Sequence, residues 1–326
     1  MKKEIAKIIK EKGQATPKII KSELGLSLVT IHKYLKELQT DGSIEKIGQT
    51  PKIYYQFVKD VPEDYKIKSK IIEDNFIKKD PIGNLYTGTE AFALWSKSNL
   101  KKYTLKEKIK LYEQRIKELK SLKKDGVYVL DEKLQDFQKQ TGEKIYLQEV
   151  VCAMPYTLPD FGKTKEAIFL GIAKDGREKD KKFIDQLIDL FTPPLLTYIR
   201  QRKIDAVAFI PPSATRKLQI MNIATKSFKE ISDLPVIKIQ KIHGQISQQQ
   251  KFLSDIKERV TNANLSFLIP DYKERHTNVL LIDDLVGSGA TINQIAKKLV
   301  ETGIAKKVFG IGMIGIKKGF NVVKKT

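Results

Sequence analysis

Cysteine and histidine are scarce in this sequence. Its 326 residues include one cysteine, Cys152, which excludes an internal disulfide and a multi-cysteine zinc site. The three histidines, His32, His243 and His276, lie far apart and do not indicate a histidine-rich metal centre. Because Cys152 stands in an apolar run, we predict a small buried side chain rather than a catalytic thiol.

Long apolar segments are also missing. The longest apolar run covers the nine residues from Val308 to Ile316, whereas a membrane-spanning helix needs about 20. Glu4, Lys7 and Lys10 interrupt the segment that would have to be apolar in a secretion signal. The sequence therefore predicts a cytoplasmic protein that does not cross a membrane.

Positive charge, in contrast, is abundant. Lys and Arg number 60 against 39 Asp and Glu, which gives a formal net charge of +21. This excess favours nucleic acid, other phosphorylated ligands or an anionic surface as partners. The hydrophobic content of 41% is enough for ordinary cores, and the length predicts two or three domains.

Residues 1–58 carry the signals of three helices and two strands. Helical spacing of apolar residues predicts a first helix that ends at Gly13, and Thr16 and Pro17 supply the cap and first position of the second. The further elements are a helix to Leu24, a helix capped by Ser27, and the strands Ile44–Ile47 and Lys52–Val58. The segment from Ser27 to Gly48 resembles the recognition helix and wing entry of winged helix-turn-helix regulators.

That resemblance implies a third helix that lies in the major groove of duplex DNA. Its side chains outside the apolar stripe, and basic residues of the wing, would contact the DNA: Ser27, Thr30, His32, Lys33, Lys36, Lys46 and Lys52. The alternative is that they form the solvated face of a protein-interaction module. The net charge of the chain favours nucleic acid.

Residues 59–126 are rich in lysine, and we interpret them as a helical connector. Helices are predicted at Glu90–Ser98 and Thr104–Lys124. A linker, a dimerisation element that would make the protein a homodimer, and a contact to the DNA backbone are the options that the sequence leaves open.

Residues 127–326 alternate apolar β-type runs with helical patterns, which predicts an α/β domain with a parallel sheet covered by helices. Strands are predicted at Ala206–Pro211, Pro235–Ile242, Asn278–Asp283 and Lys307–Gly315. Helices are predicted at Phe183–Phe191, Ala214–Ile231 and Ile292–Thr302. A G-x-G-x-x-G pattern at Gly310–Gly315 falls inside the last strand, so we do not interpret it as a dinucleotide-binding loop.

The stretch from Asn278 to Leu299 has the pattern of a ligand site. Its apolar strand ends in Asp283 and Asp284, and a glycine-rich loop and a helix follow. Ligands of open α/β sheets sit at the carboxyl ends of strands, and such a loop presents backbone N–H groups to a phosphate. Two carboxylates would repel that phosphate, so we expect them to face sugar hydroxyls or metal-bound water.

This stretch resembles the motif with which type I phosphoribosyltransferases bind 5-phosphoribosyl 1-diphosphate (PRPP). The resemblance implies that Asp283 and Asp284 hold the ribose hydroxyls at the catalytic centre, and that Mg²⁺ is held largely by the ligand's phosphates. It assigns the 5′-phosphate to Val286, Gly287, Ser288, Gly289, Ala290 and Thr291. The family commonly has two threonines where this chain has Gly287 and Ser288.

A second resemblance is to the ComF-type members of that family. Gln250–Phe267 is similar to their flexible-loop signature, with one extra residue before Arg259. Ile210–Arg216 stands where the family places its pyrophosphate loop, although the motif that follows is degraded. The implied ligand contacts, with a catalytic role for Arg259, are Ser213, Arg216, Lys217, Lys241, Lys251 and Arg259. An ordinary surface charge is the alternative for each lysine.

Fusion of these parts is compatible with more than one function. The chain could be a DNA-binding regulator that senses PRPP or a nucleotide, as the purine operon repressors do. It could also be a phosphoribosyltransferase linked to nucleic acid. The alternative is an antiphage effector, because the combination resembles retron-associated effectors.

Overall fold

The computed structural model describes residues 1–40, 42–48, 53–58, 67–81, 83–212, 216–242, 256–270 and 272–316, without the side chains of Lys179 and Arg259. The chain divides into two compact units, Met1–Lys117 (unit 1) and Glu118–Thr326 (unit 2). The predicted boundaries after residues 58 and 126 stay predictions. In the described ranges, no helix is both long and apolar enough to cross a bilayer.

Unit 1 begins with three helices and a three-stranded antiparallel sheet of order β1-β3-β2. The elements are α1 (Lys2–Glu11), β1 (Gln14–Ala15), α2 (Pro17–Leu24), α3 (Leu28–Thr40), β2 (Ile44–Ile47) and β3 (Tyr54–Phe57). Thr16 Oγ1 accepts the N–H of Ile19 at 3.2 Å, and Gly25 ends α2 with a φ of +64°. These contacts confirm the predicted cap and turn.

A single core joins these elements. Ile31, Leu35 and Leu38 form the buried face of α3 and pack with Ile5 and Ile9 of α1. Their spacing of three and four residues places them on one side of the helix. The opposite face of α3 is therefore free to meet solvent or a partner.

The rest of unit 1 has an aromatic core. Its elements are α4 (Lys70–Asn75), β4 (Ile77–Lys79), β5 (Leu85–Thr87), α5 (Gly88–Ser96) and α6 (Leu105–Ser121). Phe76 contacts the rings of Phe92, Trp95 and Tyr112 edge-on, with centroids 4.9 to 5.7 Å apart. Lys108 Nζ donates to the carbonyl of Ser96 at 2.5 Å and so caps α5. Residues 67–112 thus contain a packed core as well as the predicted helices.

Unit 2 is a mixed α/β structure around a five-stranded sheet of order β10-β13-β14-β7-β6. Four strands are parallel, and β6 pairs antiparallel with β7. Its strands are β6 (Tyr128–Val129), β7 (Leu147–Pro155), β8 (Thr157–Leu158), β9 (Gly162–Lys163), β10 (Ala206–Phe209), β11 (Gln240–Lys241), β12 (Phe267–Leu268), β13 (His276–Val286) and β14 (Ala305–Gly315). Its helices are α7 (Asp131–Thr141), α8 (Lys165–Ala173), a 3₁₀ turn (Glu178–Asp180), α9 (Lys181–Gln201), α10 (Ile220–Ile231), α11 (Ile256–Ser266) and α12 (Ala290–Glu301).

The predicted strands differ from the observed ones mainly at Pro235–Ile242. There the chain makes one bridge, Val207 to Val236, and the two-residue strand β11, which pairs with β12. The sequence pattern did not indicate β7, although it lies within the sheet and contains Cys152, which is buried as predicted.

Helix α9 is longer than its predicted range because it continues through Pro193 and Pro194 to Gln201. A proline inside a helix leaves the carbonyl four residues earlier without its donor. Here those carbonyls belong to Asp189 and Leu190, which are exposed, while Leu195 and Tyr198 beyond the prolines are buried. Burial of the second half thus maintains a helix that local propensity would end.

Candidate functional site

A cavity of about 280 Å³ lies at the carboxyl ends of β10 and β13. Ile210–Pro212 after β10 and Asp283–Val286 of β13 form two of its walls, and the loop Gly287–Gly289 with the first turn of α12 closes the end. The remaining lining side chains are Lys174, Arg216, Met221 and Phe267. The predicted acidic pair and glycine-rich loop therefore meet in one cavity, at the edge where open α/β sheets bind ligands.

The glycine-rich loop presents backbone donors to this cavity. Gly289 precedes α12 with a φ of +84°, a left-handed conformation that favours glycine. The N–H groups of Ala290, Thr291 and Ile292 begin the helix and have no partner one turn earlier. Ser288 Oγ accepts from the Ala290 N–H at the long distance of 3.5 Å. Helix N-termini with such donors attract anions.

The two carboxylates of the acidic pair have different surroundings. Asp283 Oδ1 accepts the backbone N–H of Asp284 at 2.8 Å, and Lys174 Nζ donates to Asp284 Oδ1 at 2.9 Å. Burial and the nearby charge of Asp284 raise the pKa of Asp283 to about 7, although Lys174 and backbone hydrogen bonds oppose the rise. One carboxyl is thus ion-paired, and the other changes its charge near neutral pH.

Glycines of β14 allow the acidic strand to pack closely. Gly312 pairs with Asp283, and a Cβ on Gly312 would lie 2.9 Å from Val286 Cγ2 and 3.2 Å from Val286 N. A Cβ on Gly310 would lie 2.6 Å from Ile292 Cδ1 in the first turn of α12. The G-x-G-x-x-G pattern therefore has a packing role beneath the cavity, which the sequence pattern alone did not indicate.

Several predicted pyrophosphate contacts lie near the cavity. Arg216 lines it, and Arg216 and Lys217 also line an adjacent open cavity of about 450 Å³ with Asp175–Glu178. Lys241 pairs in register with Phe267, which lines the first cavity, and burial lowers the pKa of Lys241. Ser213 and Lys251 lie outside the described residues, and Arg259 lies on α11 without a described side chain.

Lys174 is a cavity residue that sequence reasoning missed. It follows α8 directly and is separated from Asp284 by 110 residues in sequence. No motif marks it among the many lysines of the chain. Only the packing of α8 in the fold brings it to the acidic pair.

The Mg²⁺ that the resemblance implies would be held mainly by a ligand's phosphates. Across the described ranges, no three His, Cys, Asp or Glu side chains converge on a point that could hold a metal ion. Mg²⁺ commonly keeps several waters and binds substrate phosphates rather than an all-protein cage.

In unit 1, the predicted DNA-contacting residues of α3 divide into two groups. Ser27 Oγ accepts the Thr30 N–H at 3.2 Å and lies 2.9 Å from Thr30 Oγ1, so this pair caps the helix. His32, Lys33 and Lys36 are exposed on the face opposite the core.

Val29 shares that exposed face and has 81% of its surface exposed, although the apolar pattern of α3 does not distinguish it from core residues. We call Val29, His32, Lys33 and Lys36 the α3 surface. On the wing, Lys46 of β2 is exposed, whereas Lys52 lies outside the described residues.

Comparison with protein-family models finds no match to this chain. A search of curated proteins finds no match either. Function is therefore inferred from the residues of the cavity and of the α3 surface.

Proposed function

We propose that unit 2 binds PRPP, or another 5′-phosphorylated ribose, and acts as a type I phosphoribosyltransferase of ComF-like kind. The main support for this proposal is that Asp283, Asp284 and the N-terminus of α12 line the same cavity. A phosphorylated sugar needs both kinds of group, donors for its phosphate and acceptors for its hydroxyls.

The 5′-phosphate fits the glycine-rich loop. The N–H groups of the loop and of the first helical turn supply donors, and the hydroxyls of Ser288 and Thr291 line the same cavity. The positive end of the α12 dipole adds a favourable field. Gly287 and Ser288 stand where the family commonly has two threonines. Their backbone N–H groups and the Ser288 hydroxyl would still donate to a phosphate.

The ribose diol fits the acidic pair. Each ribose hydroxyl donates to one carboxylate, and a hydrogen bond to a charged acceptor contributes about 1.5–3 kcal/mol. Because the pKa of Asp283 is about 7, ligand binding near neutral pH would favour its ionised form. Binding should therefore release protons from the protein.

The transfer step requires positive charge on the leaving diphosphate. As the bond from ribose C1 to the diphosphate oxygen breaks, the electron pair moves to that oxygen, and an acceptor nucleophile forms the new bond to C1. Arg216, which lines the cavity, and Lys217, which lines the adjacent one, would stabilise the developing charge. Mg²⁺, when bound with the ligand, supplies further neutralisation of the phosphates.

Double-stranded DNA is the second proposed ligand, through unit 1. The α3 surface joins two lysines, a histidine and an exposed apolar side chain on the face opposite the core. Lysines suit phosphate contacts, and an apolar side chain suits the methyl group of thymine in a major groove. The wing lysines Lys46 and Lys52 would add backbone contacts.

Measurement of pyrophosphate release from PRPP in Mg²⁺, with and without duplex DNA, distinguishes the candidate roles. Release with a suitable acceptor supports a nucleic-acid-linked phosphoribosyltransferase or an effector with that activity. Binding of PRPP without release supports a ligand-responsive regulator, in which PRPP should change DNA affinity at least about fivefold. Absence of both binding and release would contradict the proposed function.

A further inference from the structure

The acidic pair of the cavity meets a cation from a distant part of the chain. Lys174 Nζ lies 2.9 Å from Asp284 Oδ1, and the two side chains are 31% and 16% exposed. Both residues line the cavity. An ion pair that is only partly screened by water contributes more than a surface pair, so its position in the cavity matters for ligand binding.

We propose that Lys174 is a positioning residue: its ammonium holds Asp284 as the compensated carboxylate and leaves Asp283 as the carboxyl that responds to the ligand. The ion pair itself does not depend on the identity of the ligand. The consequence for binding rests on the proposed function.

The distribution of charge around the pair supports unequal roles. The charged groups of the cavity are Asp283 and Asp284 on β13, Lys174 after α8 and Arg216 after β10. Lys174 pairs with Asp284, whereas Asp283 has no ion pair among the described residues. Lys174 therefore compensates Asp284 directly, and Asp283 is the carboxyl of the pair that a ligand can still compensate.

The pH dependence of stability tests this role without any ligand. Burial and Asp284 raise the pKa of Asp283, and Lys174 opposes them, so loss of the ammonium should raise that pKa further. A carboxyl with a raised pKa in the folded state destabilises the fold as pH rises through that pKa. Lys174→Ala should have a lower thermal midpoint than the parent. This difference should be about 2–4 °C larger at pH 9 than at pH 5.

Two further variants separate positioning from mere packing. Lys174→Arg should restore the parent's pH profile because it restores the cation. Lys181→Ala removes a lysine that pairs with Asp185 at 2.8 Å on the exposed side of α9, and its profile should match the parent's. A difference between Lys174→Ala and the parent that stays constant across pH would overturn the proposal.

Binding of PRPP to the full chain in Mg²⁺, followed by calorimetry, tests the functional consequence. Lys174→Ala should weaken binding about tenfold or more, Lys174→Arg should stay within about threefold of the parent, and added ethylammonium should partly restore Lys174→Ala. Equal affinity of Lys174→Ala and the parent would overturn the role in binding. Failure of the parent to bind PRPP would count against the proposed function, while the ligand-free pH series would still decide whether Lys174 compensates the pair.

Discussion

The pKa values of carboxyl groups at the two ends of the unit 2 sheet are shifted in opposite directions. At the amino end, Glu149 of β7 accepts from Arg202 Nε at 2.7 Å, from Arg202 Nη2 at 3.0 Å and from the Tyr198 hydroxyl at 2.7 Å. Burial raises the pKa of Glu149, but these hydrogen bonds outweigh it and hold the pKa below its ordinary value. At the carboxyl end, the pKa of Asp283 is raised to about 7.

The lowered pKa of Glu149 is typical of a carboxylate that stabilises the fold, whereas the raised pKa of Asp283 is typical of a carboxyl at a ligand site. Asp205, also at the amino end, accepts the N–H groups of Thr277 and Asn278 at 2.7 and 2.9 Å, so protein donors again satisfy it. Asp283 accepts backbone hydrogen bonds from its neighbours Asp284 and Leu285 but has no ion pair among the described residues, and it lines the cavity. Carboxyls with strongly raised pKa values concentrate at functional sites, which agrees with the position of Asp283 in the cavity.

The largest effect should come from breaking the amino-end network. Glu149→Ala leaves the Arg202 guanidinium and the fully buried Tyr198 hydroxyl without their acceptor, so we expect a loss of about 2–4 kcal/mol in the free energy of unfolding. Denaturant unfolding measures it. Asp185→Ala, which removes an exposed pair with Lys181, should change the free energy by less than about 0.5 kcal/mol. Similar losses in the two variants would contradict the structural role assigned to Glu149.

A smaller loss is expected at the carboxyl end from Gly312→Ala. The new Cβ would press against Val286 and the backbone of β13, and over-packing of this kind costs about 1–3 kcal/mol. Gly171→Ala is a matched control, because Gly171 lies in α8 and a Cβ there would meet no atom of another element within 4 Å. Alanine also has a higher helix propensity than glycine. We expect the control to be neutral or stabilising. Equal stability of Gly312→Ala and the parent would show that β13 shifts at no cost.

The features that the sequence predicted correctly differ in physical origin from those that it did not. Local signals predicted the caps and stripes of α2 and α3, and the strand, acids and loop from Asn278 onward, because those features depend on neighbours in sequence. The ion pair between Lys174 and Asp284 and the close approach at Gly312 depend on which elements pack together. Neither the extension of α9 through two prolines nor the position of β7 follows from propensity, because tertiary burial determines both.

Asp283→Asn should stabilise the protein at alkaline pH. The folded state retains a proton up to about pH 7, whereas the unfolded chain releases it near pH 4, so stability from this group falls as pH rises through that interval. The amide keeps the neutral form at every pH. We expect a gain of about 1–2 kcal/mol at pH 8 that disappears near pH 4. Denaturant unfolding at both pH values checks it, and a variant that is less stable than the parent at pH 8 would contradict the raised pKa.

The smallest expected effect concerns the α3 surface. If Lys36 contacts a DNA phosphate, Lys36→Ala should lower the slope of log K against log salt concentration by about one unit. Fluorescence titration with duplex DNA over a range of salt measures the slope. Lys7→Ala, which removes a lysine of α1 that pairs with Glu11, should leave it unchanged. Identical slopes for Lys36→Ala and the parent would favour the alternative of a solvated or protein-binding face.

The most direct test of the contrast between the two ends is the number of protons released when PRPP binds in Mg²⁺ at pH 7. Calorimetry in buffers of different ionisation enthalpy gives that number. We predict that the parent binds PRPP with release of a measurable fraction of a proton, since a group with a pKa near 7 is partly protonated at pH 7, and that this release is lost in Asp283→Asn. Binding with the same proton release in Asp283→Asn, or no binding by the parent, would contradict it.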